Sequence, residues 1–113
     1  AFGGLCDTPT LDRLADRGLR YANFHTTALC TPTRGALLTG RNHHTLGLSA
    51  ITETSLGYPA HNCFVGHEHG LLSEVLLDHD HNTFAVGKWH LTPADQISAA
   101  GPYDRWPLGR GWA

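Results

Sequence analysis

The sequence predicts an α/β fold, because helical and strand-like patterns alternate along the chain. Residues 8–18 combine a capping threonine, a first-turn proline, apolar residues at helical spacing and a glycine stop, which is typical of a short amphipathic helix. Residues 19–26 alternate loosely around aromatic side chains and predict a short strand. The apolar run at residues 83–87 predicts a second, buried strand.

A second helix is predicted within residues 30–41, which read CTPTRGALLTGR. Pro32 suits a first helical turn, where its missing N–H would have no partner, and Gly40 supplies the stop. Unpaired N–H groups at a helix start favour an anion, and Arg34 adds a full positive charge about one turn later. Cys30 therefore lies where a thiolate would be stabilised, although a lone cysteine before a helix is more often a small buried apolar residue.

The remaining segments follow from composition and spacing. Residues 41–66 are rich in small polar residues with little periodicity and predict a long loop, and the tail at 92–113 is predicted to be irregular. Apolar residues at 71, 72, 75 and 76 predict one face of a third helix. Lys88, the only lysine of the chain, and His90 follow the strand predicted at 83–87. Ligands of open α/β sheets bind at the carboxyl ends of strands, so a site is expected there.

Charge and composition argue against several classes of protein. Eight basic and ten acidic side chains are dispersed along the chain, so neither a basic face nor a nucleic-acid partner is predicted. No apolar run is long enough to span a bilayer, and no membrane segment is expected. The absence of methionine predicts an internal piece of a longer protein and leaves the compartment open. The odd cysteine count predicts thiols at Cys6 and Cys63, with a bridge between them as the alternative.

The nine histidines raise a further possibility, a zinc site. The pairs at 67/69 and 79/81 lie near Cys63 in sequence, but their spacing matches no standard zinc motif, which favours loop and surface roles. Residues 43 and 44 directly follow the second predicted helix, and a place beside a substrate entrance is the less favoured interpretation for them. A small His-rich binding module without catalysis is the alternative hypothesis from another functional class.

Two motifs resemble those of a known enzyme family. The string at residues 30–41 resembles the first signature of the type I sulfatases, CxPSRxxxLTGR, with Thr33 in place of the usual serine. The string AVGKWHL at residues 85–91 is similar to the family's GKWHL segment. The resemblance implies that residues 1–113 are a partial, N-terminal portion of a sulfatase catalytic domain. It also implies an alkaline-phosphatase-like fold with a mixed or parallel sheet flanked by helices.

The resemblance further implies a role for each matching residue. Cys30 would be oxidised to formylglycine, whose hydrated form attacks the sulfur of a sulfate ester, and would also be a metal ligand once converted. Arg34 would hold the hydrated aldehyde. Lys88 would bind the diol and a sulfate oxygen. His90 would hydrogen-bond the diol and is the candidate base for eliminating sulfate.

Cofactors and partners follow from the same resemblance. The family uses a divalent metal, calcium in most members, and its other ligands are acidic and amide residues that lie before and after the part of the domain matched by this chain. Asp7 and Asp12 do not occupy those positions and are not assigned to the metal. The expected partners are a small-molecule sulfate ester and a formylglycine-generating enzyme. Hydrolysis of phosphonate monoesters or phosphodiesters is the alternative within the superfamily.

The chain departs from the family pattern at Asp80-His81, where relatives usually have Gly-Tyr between the third helix and the strand. Glycine suits a left-handed helix terminus. Because aspartate tolerates that geometry better than most residues, the expected cost is about 1 kcal/mol or less.

Overall fold

The computed structural model describes residues 3–113. Its three α-helices are α1 (Pro9–Asp16), α2 (Cys30–Thr39) and α3 (Leu72–Leu77), and three short 3₁₀ helices lie at Thr52–Thr54, Ala94–Gln96 and Leu108–Arg110. All three predicted helices are therefore confirmed. Of the helices in this part of the chain, none has the length and apolar character needed to cross a membrane.

The ends of α2 fall where the local chemistry predicted them. Pro32 lies in the first turn of α2, and Gly40 closes the helix in the left-handed conformation with φ 68°. The Gly40 N–H donates to the carbonyl of Ala36 at 2.9 Å. Asp80, just after α3, has φ 60°, which confirms that aspartate takes the left-handed geometry expected there.

The predicted α/β architecture is wrong for this part of the chain, since residues 3–113 contain helices, turns and irregular segments but no β-strand. A strand exists only where a neighbouring backbone supplies a ladder of hydrogen bonds. The Thr83 carbonyl accepts one bond, from the Ala113 N–H at 2.9 Å, and no ladder follows it. Phe84 and Val86 in this segment are exposed, as are Tyr21 and Phe24 in the other predicted strand. The alkaline-phosphatase-like sheet is thus not formed by these residues.

A small apolar core lies between α2, the 41–66 loop and the chain around α3. Its buried members are Leu46, Leu48, Val65, Leu71 and Leu91, against which Leu38 and Trp89 pack. Helix α2 approaches the loop closely at Gly35, because a β-carbon added there would lie 2.2 Å from Leu48 Cδ1. Absence of a side chain at Gly35 therefore lets α2 and the loop share the core that positions the site.

A buried ion pair fixes the end of the chain against α3. Arg110 is only 2% exposed, and its Nε donates to Glu74 Oε1 at 2.7 Å. The other guanidinium nitrogens donate to the carbonyls of Val65 and His69, at 3.1 and 3.0 Å. Because the buried charge has a carboxylate and two carbonyl partners, its desolvation is offset and the 3₁₀ turn at Leu108–Arg110 is held in place.

Candidate active site

Cys30 opens α2 and is partly buried. The turn that delivers it is tied to the helix by Thr33, whose hydroxyl contacts the Thr27 hydroxyl and lies 3.2 Å from the Thr27 carbonyl. Thr33 is the residue that replaces the family's usual serine, and its hydroxyl still makes a hydrogen bond of the kind serine could make. Thr33 therefore helps to fix the turn that leads into Cys30.

His90 contacts Cys30 directly, although 60 positions separate them in sequence. The Cys30 Sγ lies 2.9 Å from His90 Nδ1. His90 has φ 55°, a left-handed conformation that is uncommon for residues other than glycine. The buried hydroxyl of Thr31 donates to the His90 carbonyl at 2.9 Å, which stabilises this backbone turn and directs the ring toward α2.

The surroundings of Cys30 favour its thiolate. Partial burial by itself raises the pKa of the Cys30 thiol, but the His90 hydrogen bond and charge, the Thr31 N–H and the charge of Lys88 together lower that pKa below its ordinary value. These groups give the Sγ position surroundings that favour negative charge.

Arg34 and Lys88 lie near Cys30, and the Arg34 side chain contacts the Lys88 backbone. One Arg34 Nη donates to the carbonyl of Lys88, so the arginine holds the segment that leads into His90. The Arg34 Nε is buried and has no hydrogen-bond partner within residues 3–113. The Lys88 side chain is exposed to solvent. The four residues singled out from the sequence therefore share one neighbourhood, with Cys30 and His90 in contact.

Glu53 also belongs to this neighbourhood, and the sequence did not predict it. His90 Nε2 lies 2.9 Å from Glu53 Oε1 and 3.0 Å from Oε2. The His90 hydrogen bond is the main cause of a lowered Glu53 pKa, followed by Glu53's own backbone N–H. The only sequence signal was that Glu53 is the sole acidic residue between positions 17 and 67, within a loop that has no periodic pattern.

The described residues do not fit a calcium ion. A calcium site needs about six to eight oxygen ligands. Within residues 3–113, no group of three or more His, Cys, Asp or Glu side chains is arranged to hold a metal ion. Two of the histidines considered for a zinc site have other partners. His67 pairs with Asp104 at 3.1 Å, and His79 Nδ1 lies 2.8 Å from the Val75 carbonyl.

A cavity of about 840 Å³ lies beside α2 but is not lined by the four predicted site residues. Its walls come from residues 24–29, the exposed side of α2 and the start of the following loop. His43 lines this cavity, and its Nδ1 is 2.9 Å from the Leu48 carbonyl. The cavity is thus a neighbour of the Cys30 site, separated from it by the helix start.

Comparison with known proteins agrees with the family resemblance of the two motifs. The family model named Sulfatase matches residues 1–111. An uncharacterized sulfatase of Schizosaccharomyces pombe is 36% identical over 98% of this chain and 20% of its own length. An arylsulfatase of Klebsiella aerogenes is 29% identical over 92% of this chain and 22% of its own length. Bovine arylsulfatase A is 42% identical over 74% of this chain and 16% of its own length.

These matches place the motif-bearing chain in a defined class of enzymes. The chain belongs to the sulfatase family. It spans about a fifth of the length of the curated relatives that it matches.

Proposed function

We propose that this chain is a partial, N-terminal portion of the catalytic domain of an arylsulfatase-like sulfuric ester hydrolase whose nucleophile is formylglycine derived from Cys30. The observation that carries the proposal is the 2.9 Å contact between Cys30 Sγ and His90 Nδ1, made by the two family motifs. Nucleophile and base must lie within hydrogen-bond reach for proton transfer, and these two side chains do.

The proposed reaction has two steps. One hydroxyl of the hydrated aldehyde at residue 30 loses its proton and attacks sulfur, the S–O bond to the leaving group breaks, and the departing alkoxide takes up a proton to become the alcohol, so that a covalent sulfate ester remains on the enzyme. His90 then takes the proton of the second hydroxyl, the C–O bond to sulfate breaks, and the aldehyde is regenerated. An unmodified hydroxyl nucleophile has no second hydroxyl and could not expel sulfate in this way.

Positive groups around residue 30 support an anionic substrate. Lys88 is exposed and close enough to lower the Cys30 pKa, so its ammonium could bind a sulfate oxygen. Arg34 donates to the Lys88 carbonyl, which fixes the backbone that carries the Lys88 ammonium, and its guanidinium adds a positive charge. The proposal includes a divalent cation, calcium in most relatives, with converted residue 30 as one ligand and the others supplied from outside residues 3–113.

Peptide mass analysis of the complete protein tests the nucleophile. Co-expression with a formylglycine-generating enzyme should convert Cys30 to the aldehyde, and Cys30→Ala should abolish hydrolysis of an aryl sulfate. Cys63→Ala is the matched control, because this buried thiol contacts the His61 carbonyl rather than the site. An active enzyme that keeps an unmodified thiol at position 30 would contradict the mechanism.

Hydrolysis of phosphonate monoesters or phosphodiesters is the second candidate, because these substrates can share the same nucleophile. The two activities differ in the charge and substitution of the transferred group, which residues 3–113 do not distinguish. Turnover of an aryl sulfate should exceed turnover of the matched aryl phosphonate ester. The opposite ranking would replace the sulfatase assignment with the phosphonate hydrolase.

A further inference from the structure

The 41–66 loop places a carboxylate behind the histidine of the site. The 3₁₀ turn at Thr52–Thr54 lays Glu53 against His90, with both carboxylate oxygens within 3.0 Å of Nε2. His90 Nδ1, on the other side of the ring, faces Cys30. The three side chains therefore form a line of carboxylate, imidazole and nucleophile position.

Glu53 is held in this position by its own turn. Thr52 is 2% exposed, and its hydroxyl donates to Glu53 Oε2 at 3.0 Å. The turn is closed by the backbone N–H and the hydroxyl of Thr54, each of which donates to the Ile51 carbonyl at 3.0 Å. The Glu53 side chain is half exposed, but its carboxylate has donors from two directions. A carboxylate with two fixed donors is oriented rather than free to rotate.

His90 is held from the other side by α2. The Thr31 hydroxyl bonds the His90 carbonyl at 2.9 Å, and the His90 side chain is only 16% exposed. Backbone and ring are thus restrained by different elements, the start of α2 and the 52–54 turn. With both restraints in place, the ring presents Nδ1 to residue 30 and Nε2 to Glu53.

The chemistry of a carboxylate then selects one tautomer of the ring. An ionised carboxylate accepts hydrogen bonds and donates none, so the nitrogen facing it must carry the proton. In neutral imidazole the other nitrogen is then an acceptor. With Nε2–H directed at Glu53, the lone pair of Nδ1 points at residue 30. This is the tautomer that a base must have in order to take a proton from a hydroxyl there.

We propose that Glu53 is a positioning residue that holds His90 in the tautomer and orientation needed for it to act as the base at residue 30. The inference rests on the proposed function, in which His90 removes a proton from the hydrated aldehyde. Glu53 touches neither nucleophile nor substrate and acts through His90 alone. Removing the outer partner of a metal-bound histidine typically costs about 10- to 100-fold in metal affinity or activity, and a loss of that order is expected for the orienting partner of His90.

The kinetic test uses the complete, aldehyde-bearing protein and an aryl sulfate. Glu53→Gln should lower kcat about 10- to 100-fold and leave KM within about twofold, because substrate binding does not involve Glu53. Glu53→Asp keeps an acceptor-only carboxylate and should retain more of the wild-type kcat than the glutamine variant. Glu68→Gln is the matched control, since Glu68 is 73% exposed and lies near His69 instead, and it should behave as wild type.

A double-mutant cycle separates positioning from general support of the fold. In a His90→Ala background, Glu53→Gln should cause no further loss of kcat, because its partner is gone. An unchanged kcat in Glu53→Gln would overturn the proposal. An equal loss with and without His90 would also overturn it, because it would show a role in folding.

Histidine ring ¹⁵N spectroscopy gives a readout that does not depend on turnover. The His90 signal, assigned by its loss in His90→Ala, should show the Nε2–H tautomer in the wild-type protein and in Glu53→Asp, and a mixture in Glu53→Gln. An unchanged tautomer in Glu53→Gln would overturn the positioning role. If the tautomer shifts as expected but no sulfate ester is hydrolysed, Glu53 positions His90 and the proposed function fails. If sulfate esters are hydrolysed and Glu53→Gln is indistinguishable from wild type, the proposed function stands and the positioning role of Glu53 fails.

Discussion

Two regions of this chain differ in burial from what their apolar content suggests. The 41–66 loop is polar and aperiodic, yet it supplies the buried Leu46, Leu48 and Val65 of the core. The apolar segment at 83–87 predicted a buried strand, yet Phe84 and Val86 in it are exposed. Burial therefore depends on which segments pack together. A few apolar residues in a polar loop are enough to form a core when a helix packs against them.

The two regions also differ in how they are held beside the candidate site. The loop contributes Glu53, and the chain after the apolar segment contributes His90, so the two regions meet at Cys30. The loop is fixed by close contact with Gly35 of α2 and by Arg110 bonding to the Val65 carbonyl. The 83–87 segment is attached mainly at its ends, by Ala113 at Thr83 and by Arg34 at Lys88.

The largest expected effect concerns a metal-binding cluster, which neither region supplies within residues 3–113. The isolated 113-residue chain, even with residue 30 converted, should not hydrolyse an activated aryl sulfate, because residues 3–113 offer no cluster that could hold a metal ion. In the proposed mechanism, loss of the cation removes several kcal/mol of stabilisation, and about 1.4 kcal/mol corresponds to a tenfold loss in rate. Turnover assays with added calcium test this expectation. Metal-dependent turnover that Cys30→Ala abolishes would contradict it.

Truncating one apolar side chain in each region tests the comparison directly. Leu48→Ala should destabilise the chain by about 2–5 kcal/mol, because Leu48 is fully buried and its removal leaves a cavity. Val86→Ala should change the free energy of unfolding by less than about 0.5 kcal/mol, because Val86 is fully exposed. Urea unfolding of the two variants measures both values. Equal losses would show that the 83–87 segment is packed after all.

Adding a side chain at Gly35 tests the close contact between α2 and the loop. Gly35→Ala should destabilise the chain by about 1–3 kcal/mol, because the new β-carbon would lie 2.2 Å from Leu48 Cδ1. Gly70→Ala is the control, since a β-carbon there meets open space and should cause no loss of stability. Combined with Leu48→Ala, the Gly35 change should cost less than it does alone. Strict additivity in thermal unfolding would exclude the contact.

Low pH should weaken the ion pair between Arg110 and Glu74 of α3. Arg110 also donates to the Val65 carbonyl, so this pair connects the 41–66 loop to α3. Burial raises the Glu74 pKa, but its Arg110 hydrogen bond, the Leu71 N–H and the Arg110 charge lower it on balance. A depressed folded-state pKa gives stability that is fully present above the unfolded value, about 4.3, and is lost as pH falls through the folded pKa. The effect is at most about 1.4 kcal/mol per pH unit for one carboxyl group.

Denaturant unfolding at a series of pH values measures this effect. The stability advantage of wild type over Glu74→Gln should shrink as pH falls below about 4.3. Glu68→Gln, which alters an exposed carboxylate, should follow the wild-type curve. A constant gap between wild type and Glu74→Gln at all pH values would show that the charge of Glu74 does not contribute to stability.

The sequence by itself determined the features that depend on near neighbours along the chain. The three helices and the Gly40 stop follow from apolar spacing, proline geometry and the backbone freedom of glycine, which act over a few residues. The left-handed Asp80 was expected from the glycine that the family usually has there. The motifs at 30–41 and 85–91 also identified the family, and they selected Cys30 and His90, which the structure brings into contact.

Only the tertiary structure decided the strands, the core and the partner of His90. A strand requires a second backbone at hydrogen-bond distance, and an apolar run such as 83–87 does not reveal whether one is present. Glu53 lies 37 positions before His90, in a loop without periodicity, so no local pattern joins the two residues. Their contact is a consequence of the packing of the 41–66 loop against α2, since that packing brings residues distant in sequence to one point.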